Sequence, residues 1–326
     1  MIIFVTGATG LVGSHCINEF LNQGFQVKAL VRNKSDLTVK NNLEVFEGDV
    51  FDSAIIKKAM EGCNVVLHTA ALVSFSSSKR DEMFLTNVSG TANIVNIALE
   101  CNVEKFIHIS SIAALGRAEK PTNFSLDESA DWIESSNNTA YAKSKYLSEL
   151  EVWRGIEEGL NATILCPSVI IGEGAWARSS SKLFKYIYDQ KPFYTLGNIN
   201  YVDVKDVVSG VINAINGNFS AQKFILNSGT LSYKKFFDLV ALKLNKRAPY
   251  IKVTKTLAYL AWIIESIKTI FSKAEPLITK ETAKQSQHKY VYSNKKAVEV
   301  LGVEFTPLET SLDRICAWYL NYAKSL

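Results

Sequence analysis

The sequence predicts an α/β protein in which a doubly wound parallel sheet is followed by a smaller, mostly helical lobe. Three observations carry that expectation. Short β-branched runs alternate with helical patterns through the first half, as βαβ units require. Those runs are apolar on both faces, as strands covered by helices on either side must be. The first run leads directly into a glycine-rich turn and then a helical pattern. At 326 residues the chain exceeds the length at which one core usually stops growing, which fits a large domain with a second lobe attached.

Taken in order, strands are expected near Ile2 to Thr6, Gln26 to Val31, Leu43 to Glu47, Val65 to Thr69, Phe106 to Ser110 and Ala162 to Cys166, with helices between them. Past Pro167 the alternation weakens, and from Tyr233 onward the pattern is one of helices with loops. Residues 1–165 are therefore expected to form the sheet domain and 166–326 mainly a substrate lobe, with 200–228 returning to the sheet core. Residues 257–271 read as one apolar-rich helix, but Glu265 and Lys268 interrupt it and leave too short an uncharged run to span a bilayer.

Composition narrows the class. Hydrophobic residues at 47% and charged residues at 21% are ordinary for a soluble globular protein and argue against long disorder. The five cysteines are odd in number and scattered without CxxC spacing, which suggests a reduced, cytoplasmic protein. Met1 runs straight into Ile2-Ile3-Phe4-Val5 with no basic n-region, so secretion is not expected. A net charge of +4 is too small to suggest nucleic acid. Residues 245–300 nonetheless carry eleven Lys or Arg against four Glu. This stretch reads first as a solvated basic face, with an acidic substrate or an anionic membrane surface as the alternatives. The four histidines and the carboxylates form no metal-ligand pattern, so no metal is expected.

After the first strand comes Thr6-Gly7-Ala8-Thr9-Gly10-Leu11-Val12-Gly13. Gly7 permits a tight turn, Gly10 lets backbone N–H groups approach a pyrophosphate, and Gly13 lets the helix pack closely on the strand. The helix N-terminus then presents its positive dipole end to the phosphates. Strand before and helix after make this a dinucleotide site.

Three glycines at Gly-x-x-Gly-x-x-Gly resemble the extended branch of the short-chain dehydrogenase/reductase superfamily, the NAD-dependent epimerase/dehydratase family. The resemblance implies a Rossmann sheet, an NAD(P) cofactor, and roles for further residues. Asp49-Val50 match the family's adenine-side acid and its neighbour, His68-Thr69-Ala70-Ala71 its strand-four motif, and Asn87 its structural asparagine. Pro167-Ser168 open a later family signature, so the match runs nearly the whole length. It implies cofactor contacts from Gly7, Thr9, Gly10, Leu11, Val12, Gly13, Asp49, Val50, His68, Ala70, Ala71, Pro167 and Ser168.

Tyr141 and Lys145 stand four apart, on one face of a helix expected from about Asn138 to Ile156. The spacing alone is weak, since Tyr292 and Lys296 repeat it; Tyr141 is preferred because it lies past the fifth strand, after Ser111. A free phenol has a pKa of ~10, and a nearby ammonium is expected to draw it toward the working range of a proton carrier. Ser111 is expected to donate a hydrogen bond to the substrate oxygen, with Ser110 as runner-up because adjacent residues point opposite ways. The resemblance further gives Lys145 the nicotinamide ribose hydroxyls and adds Asn87 to the catalytic set.

The reading is thus an oxidoreductase that reduces a ketone or aldehyde, or oxidises the matching alcohol, on a small-molecule substrate. It is similar to dihydroflavonol reductases and 3β-hydroxysteroid dehydrogenases. The alternatives are a nucleotide-sugar epimerase or dehydratase and a non-catalytic cofactor-binding regulator. Pro167-Ser168 and Gly197-Asn198-Ile199-Asn200 lack the Asn and Arg typical of sugar-nucleotide enzymes, which favours the reductase. NADP is the expected cofactor, with NAD possible: Val31 stands where NAD sites place an acid, and Arg32, assisted by Lys34, can clamp a 2′-phosphate. The family also implies a homodimer through helices near 80–100 and 138–156.

Overall fold

The computed structural model describes residues 1–37, 40–116, 125–176, 180–253 and 289–325. The apolar run 257–271 and most of the basic stretch 245–300 lie outside the described residues. The strands are β1 (Ile2–Thr6), β2 (Gln26–Val31), β3 (Leu43–Glu47), β4 (Val65–His68), β5 (Lys105–Ile109), β6 (Ala162–Pro167), β7 (Val169–Ile171), β8 (Phe193–Tyr194), β9 (Asn198–Asp203), β10 (Gln222–Leu226), β11 (Gly229–Ser232) and β12 (Ile251–Lys252). The helices are α1 (Leu11–Asn22), α2 (Ser53–Met60), α3 (Arg80–Phe84), α4 (Gly90–Glu100), α5 (Ala140–Glu157), α6 (Ser181–Tyr188), α7 (Val204–Asn216), α8 (Tyr233–Leu244), α9 (Lys295–Glu299) and α10 (Leu308–Lys324).

Seven strands pair in parallel in the order β10-β6-β5-β4-β1-β2-β3. The chain starts at β1, moves outward to β3, then crosses to β4 and proceeds the other way. The crevice at the carboxyl ends of β1 and β4 is thus a topological switch point, where doubly wound sheets take their ligands. Both faces are covered. On one, Val5, Leu67 and Leu165 pack with Val12, Cys16, Val207 and Val211 of α1 and α7; on the other, Phe4, Val66 and Ile164 pack with Ile56, Ile94 and Val152 of α2, α4 and α5. Burial on two sides explains the apolar runs of β1, β4 and β6.

Small differences at the strand ends have local causes. β4 stops at His68 because the Thr69 hydroxyl turns back to the Thr6 carbonyl at 2.7 Å. β5 ends at Ile109, so Ser110 and Ser111 belong to the turn beyond it. The second lobe holds more strand than its sequence pattern suggests: β7, β9 and β11 form a separate three-stranded sheet, while β10 joins the large one. At three and four residues, β7 and β11 carry too little periodicity to register. The helices α6, α8 and α10 close around Phe184, Phe236, Leu312 and Tyr319 to form the lobe's own core. No helix among the described residues is long and apolar enough to cross a membrane.

Candidate active site

The turn after β1 is shaped by what does not fit in it. Gly7 has φ +67°, and a Cβ there would lie 2.5 Å from Thr69 Oγ1 and 2.6 Å from Ala70 N, so β1 and the loop after β4 touch backbone to backbone. A Cβ on Gly13 would lie 2.3 Å from the Gly7 carbonyl, which seats α1 directly against the turn. Gly10 is the N-cap of α1 and no side chain caps that end. The first N–H groups of Leu11 and Val12 thus meet the switch-point crevice with the dipole's positive end, a cradle suited to pyrophosphate. Leu11 itself leans toward Gly172 and Gly174 in the loop after β7.

Farther along the crevice, Asp49 at the end of β3 has one carboxylate oxygen covered and without a hydrogen-bond partner among the described residues. Such an acceptor suits the amino group of an adenine. Val50 turns its side chain into the core against Gly90, and its carbonyl is taken by Asn93 at 2.8 Å. Ala70 N reaches Thr6 Oγ1 at 3.3 Å, and Ala71 is exposed. Arg32 is exposed just past β2. Ser168, beyond Pro167 at the end of β6, is buried with its hydroxyl unpartnered among the described residues. These features fit a bound dinucleotide from phosphate turn to nicotinamide end.

Tyr141, Lys145 and Ser111 converge at the end of β5. The Thr139 hydroxyl accepts from Ala142 N at 3.0 Å and starts α5, so Tyr141 sits in its first turn and Lys145 one turn on. Burial pushes the Tyr141 phenol up to about 12, while its hydrogen bond with Ser111 pulls the other way. The expected lowering by Lys145 is not seen, for a geometric reason. The Lys145 ammonium is buried and donates to the Ile109 carbonyl at 2.8 Å, toward the strand. Burial brings Lys145 down to about 8, with Glu149 opposing. Of the two serines, Ser110 turns inward to Glu149, and Ser111 is the one facing the phenol.

Two family-matched polar residues support this arrangement from inside. Asn87 donates to Leu72 O at 3.0 Å and to Ser144 Oγ at 3.0 Å and accepts from Leu72 N at 2.7 Å, tying the loop after β4 to α5. With these bonds its amide serves as a brace. His68 is buried with both ring nitrogens engaged, at 2.7 Å from Thr6 Oγ1 and 2.9 Å from Thr91 Oγ1. Burial, reinforced by Lys145, holds it neutral with its pKa lowered to about 3. Its side chain is a satisfied core histidine that links β1, β4 and α4.

Sequence reasoning missed three features. Phe75 in the loop after β4 sets its edge against the Tyr141 ring, centroids 6.0 Å apart. Glu149 lies buried one turn below Lys145, ion-paired at 2.6 Å with Lys223 of β10. Arg314 of α10 grips both oxygens of Asp203 at 2.6 Å and also pairs with Glu173, which sits 3.7 Å from His15 of α1. Only Glu149 had a partial signal, the next step of the four-residue spacing, which places it on the face of Lys145 but gives no sign of its burial. Among the described residues no group of three His, Cys, Asp or Glu could hold a metal.

A parallel sheet with a glycine cradle at its switch point and a Ser, Tyr and Lys beside it defines a nicotinamide-dinucleotide enzyme of the extended short-chain dehydrogenase/reductase class. The chain belongs to the NAD dependent epimerase/dehydratase family, whose model matches residues 3–227. It is 29% identical to a Synechocystis protein provisionally named dihydroflavonol 4-reductase, over 98% of this chain and 94% of that one. It is 25% identical to cinnamoyl-CoA reductase 1 of Petunia hybrida, over 95% and 90%. The crystal structure of gox2253 superposes with a TM-score of 0.83 at 28% identity, covering 99% of each chain. DesIV, a dTDP-glucose 4,6-dehydratase from Streptomyces venezuelae, shares the fold with a TM-score of 0.80 at 18% identity, over 100% of this chain and 98% of that one.

Proposed function

We propose that the protein reduces a ketone or aldehyde, or oxidises the matching alcohol, with NADP(H) preferred over NAD(H). The observation that carries this reading is the hydrogen-bonded Ser111–Tyr141 pair at the end of β5, above a buried Lys145. A nicotinamide cofactor supplies or removes the hydride when bound. As a carbonyl oxygen gains negative charge, the Ser111 and Tyr141 hydroxyls stabilise it by donating hydrogen bonds. Tyr141, protonated at neutral pH, then yields its proton to the oxygen; in the oxidative direction it takes one back. Lys145, on the same face of α5, holds the ribose hydroxyls.

The relatives named for carbonyl or alcohol chemistry support the reductase reading. Asn200 speaks against a sugar nucleotide: its amide is spent on the Tyr290 carbonyl at 3.0 Å and the Thr230 hydroxyl at 2.6 Å. For the cofactor, Asn33 bonds Ser35 N at 3.0 Å, and no acid flanks Arg32 to repel a 2′-phosphate. A second copy of the chain packing on α5 and the segment before α4 completes the reading; Leu85 and Leu150 are exposed there.

The test supplies NADPH or NADH with ketones, aldehydes and nucleotide sugars and follows nicotinamide absorbance. One NADPH consumed per alcohol formed is expected. Interconversion of a nucleotide sugar with no net cofactor change overturns the reductase. Equal affinity for NADPH and NADH, or equal weakening of both by Arg32→Ala, overturns the phosphate clamp.

A further inference from the structure

We propose that Glu149 is a positioning residue for the reacting pair, clamped between the Ser110 hydroxyl and the Lys223 ammonium so that it supports the charge of Lys145 and fixes the strand end bearing Ser111. The name "reacting pair" rests on the function proposed above; the electrostatic and packing claim does not.

Tyr141, Lys145 and Glu149 stand at successive four-residue steps of α5, one above another on a single face. A carboxylate so deep, with 1% of its surface exposed, needs partners for both of its oxygens. Both are satisfied. Oε1 accepts from the Ser110 hydroxyl at 2.5 Å and from Cys166 Sγ at 3.4 Å, while Oε2 pairs with Lys223 at 2.6 Å. The Lys145 ammonium donates to Ile109 O, the residue before Ser110. Two consecutive residues at the end of β5 are therefore tied to two consecutive turns of α5. Ser111 is the next residue, so the distance between its hydroxyl and the Tyr141 phenol is set by these two ties.

The charges around Lys145 make the same arrangement electrostatic. From α5 it faces Glu149, from β6 Cys166, from β4 His68 and from β5 His108; Lys223 of β10 stands beyond Glu149 and is itself faced by Glu128. Burial and Lys145 hold both histidines neutral, and burial with Glu149 pushes the Cys166 thiol up. Glu149 is thus the carboxylate whose attraction opposes the cost of burying the ammonium. The sign follows directly. Lys145 loses its proton as pH rises through about 8. Removing the Glu149 charge moves that transition to lower pH. Removing the Lys223 charge leaves Glu149 less compensated and moves it to higher pH. A residue that acted only as a structural clasp would not produce opposite shifts from its two ends.

The experiment is an NMR titration of the full-length protein carrying ¹³Cε-lysine, with the Lys145 resonance assigned by Lys145→Arg. Wild type, Glu149→Gln and Lys223→Met are compared without substrate. The Lys145 midpoint is expected to fall by roughly one pH unit in Glu149→Gln and to rise in Lys223→Met. Midpoints unchanged in both variants, or displaced in the same direction, overturn the proposal. If Glu149→Gln does not fold, the upward shift in Lys223→Met carries the test, and an unchanged midpoint there overturns it. Because no turnover enters the measurement, it succeeds or fails separately from the proposed reaction.

Discussion

Replacing each of three glycines by alanine separates the cost of the phosphate turn's geometry from its use. Gly7→Ala must adopt φ +67° and place a methyl 2.5 Å from Thr69 Oγ1, 2.6 Å from Ala70 N and 2.8 Å from the Thr69 carbonyl carbon. The left-handed conformation costs ~1–2 kcal/mol. Overpacking against backbone that cannot move aside adds ~1–3 kcal/mol. The sum is about 2–5 kcal/mol, a large part of the ~5–15 kcal/mol that holds a typical protein folded. Gly62 has φ +73° with nothing within 4 Å of a Cβ, so Gly62→Ala meets only the conformational cost. A stiffer unfolded chain returns ~0.4–1 kcal/mol of it, leaving about 1 kcal/mol. Gly10 has φ −71°, and its added methyl meets only the Gly7 carbonyl at 3.1 Å. Gly10→Ala should stay within about 1 kcal/mol of wild type yet lose cofactor affinity, because the methyl sits at the uncapped start of α1. Urea unfolding without cofactor ranks the stabilities, and fluorescence titration with NADPH gives the affinities. If Gly7→Ala matches Gly62→Ala in stability, the close approach of β1 to the loop after β4 is not as described; if Gly10→Ala binds NADPH as wild type does, the cradle is misassigned.

Tyr141→Phe keeps the ring that meets Phe75 and deletes only the hydroxyl, so turnover should drop on the order of 10²–10⁴-fold with NADPH affinity unchanged; activity within a few-fold of wild type would remove Tyr141 from the mechanism. Arg314→Met leaves Asp203 and Glu173 without their shared cation and should cost about 3 kcal/mol in urea unfolding, toward the low end for a broken buried pair because the guanidinium is partly exposed. His68 is depressed to about 3 and His108 well below its ordinary value, so the unfolded chain binds more protons than the native one below its histidine pKa of ~6.5. Stability should therefore fall as pH drops from about 6.5 toward 4, by up to ~1.4 kcal/mol per unit for each histidine; a urea midpoint as steeply pH-dependent in His68→Asn as in wild type counts against the buried neutral His68.

The part of this molecule that could be read from sequence is the part where one local pattern does one physical job. Buried parallel strands must be apolar on both faces, so β1, β4 and β6 show themselves as apolar runs. Tyr141 and Lys145 share one face of α5 because a helix aligns fourth neighbours, whatever the rest of the chain does. Ser110 and Ser111 mark the limit. Alternation says that they point apart, but only the packing of α5 on the end of β5 says which one meets the phenol. Glu149 lies further beyond that limit. On a helix with charged neighbours it reads as a solvent-facing carboxylate, and the residue that makes its burial tolerable, Lys223, comes 74 positions later on a strand at the other side of β6. The same is true of Arg314, which reaches back from the last helix to Asp203 and Glu173. Glu149 is buried where the second half of the chain closes on the first, and Arg314 where the last helix closes on the ends of β7 and β9. Local pattern built the cradle and placed the reacting hydroxyl, but the setting of Lys145 one turn below depends on the Glu149–Lys223 pair across the sheet, which exists only once the fold is complete.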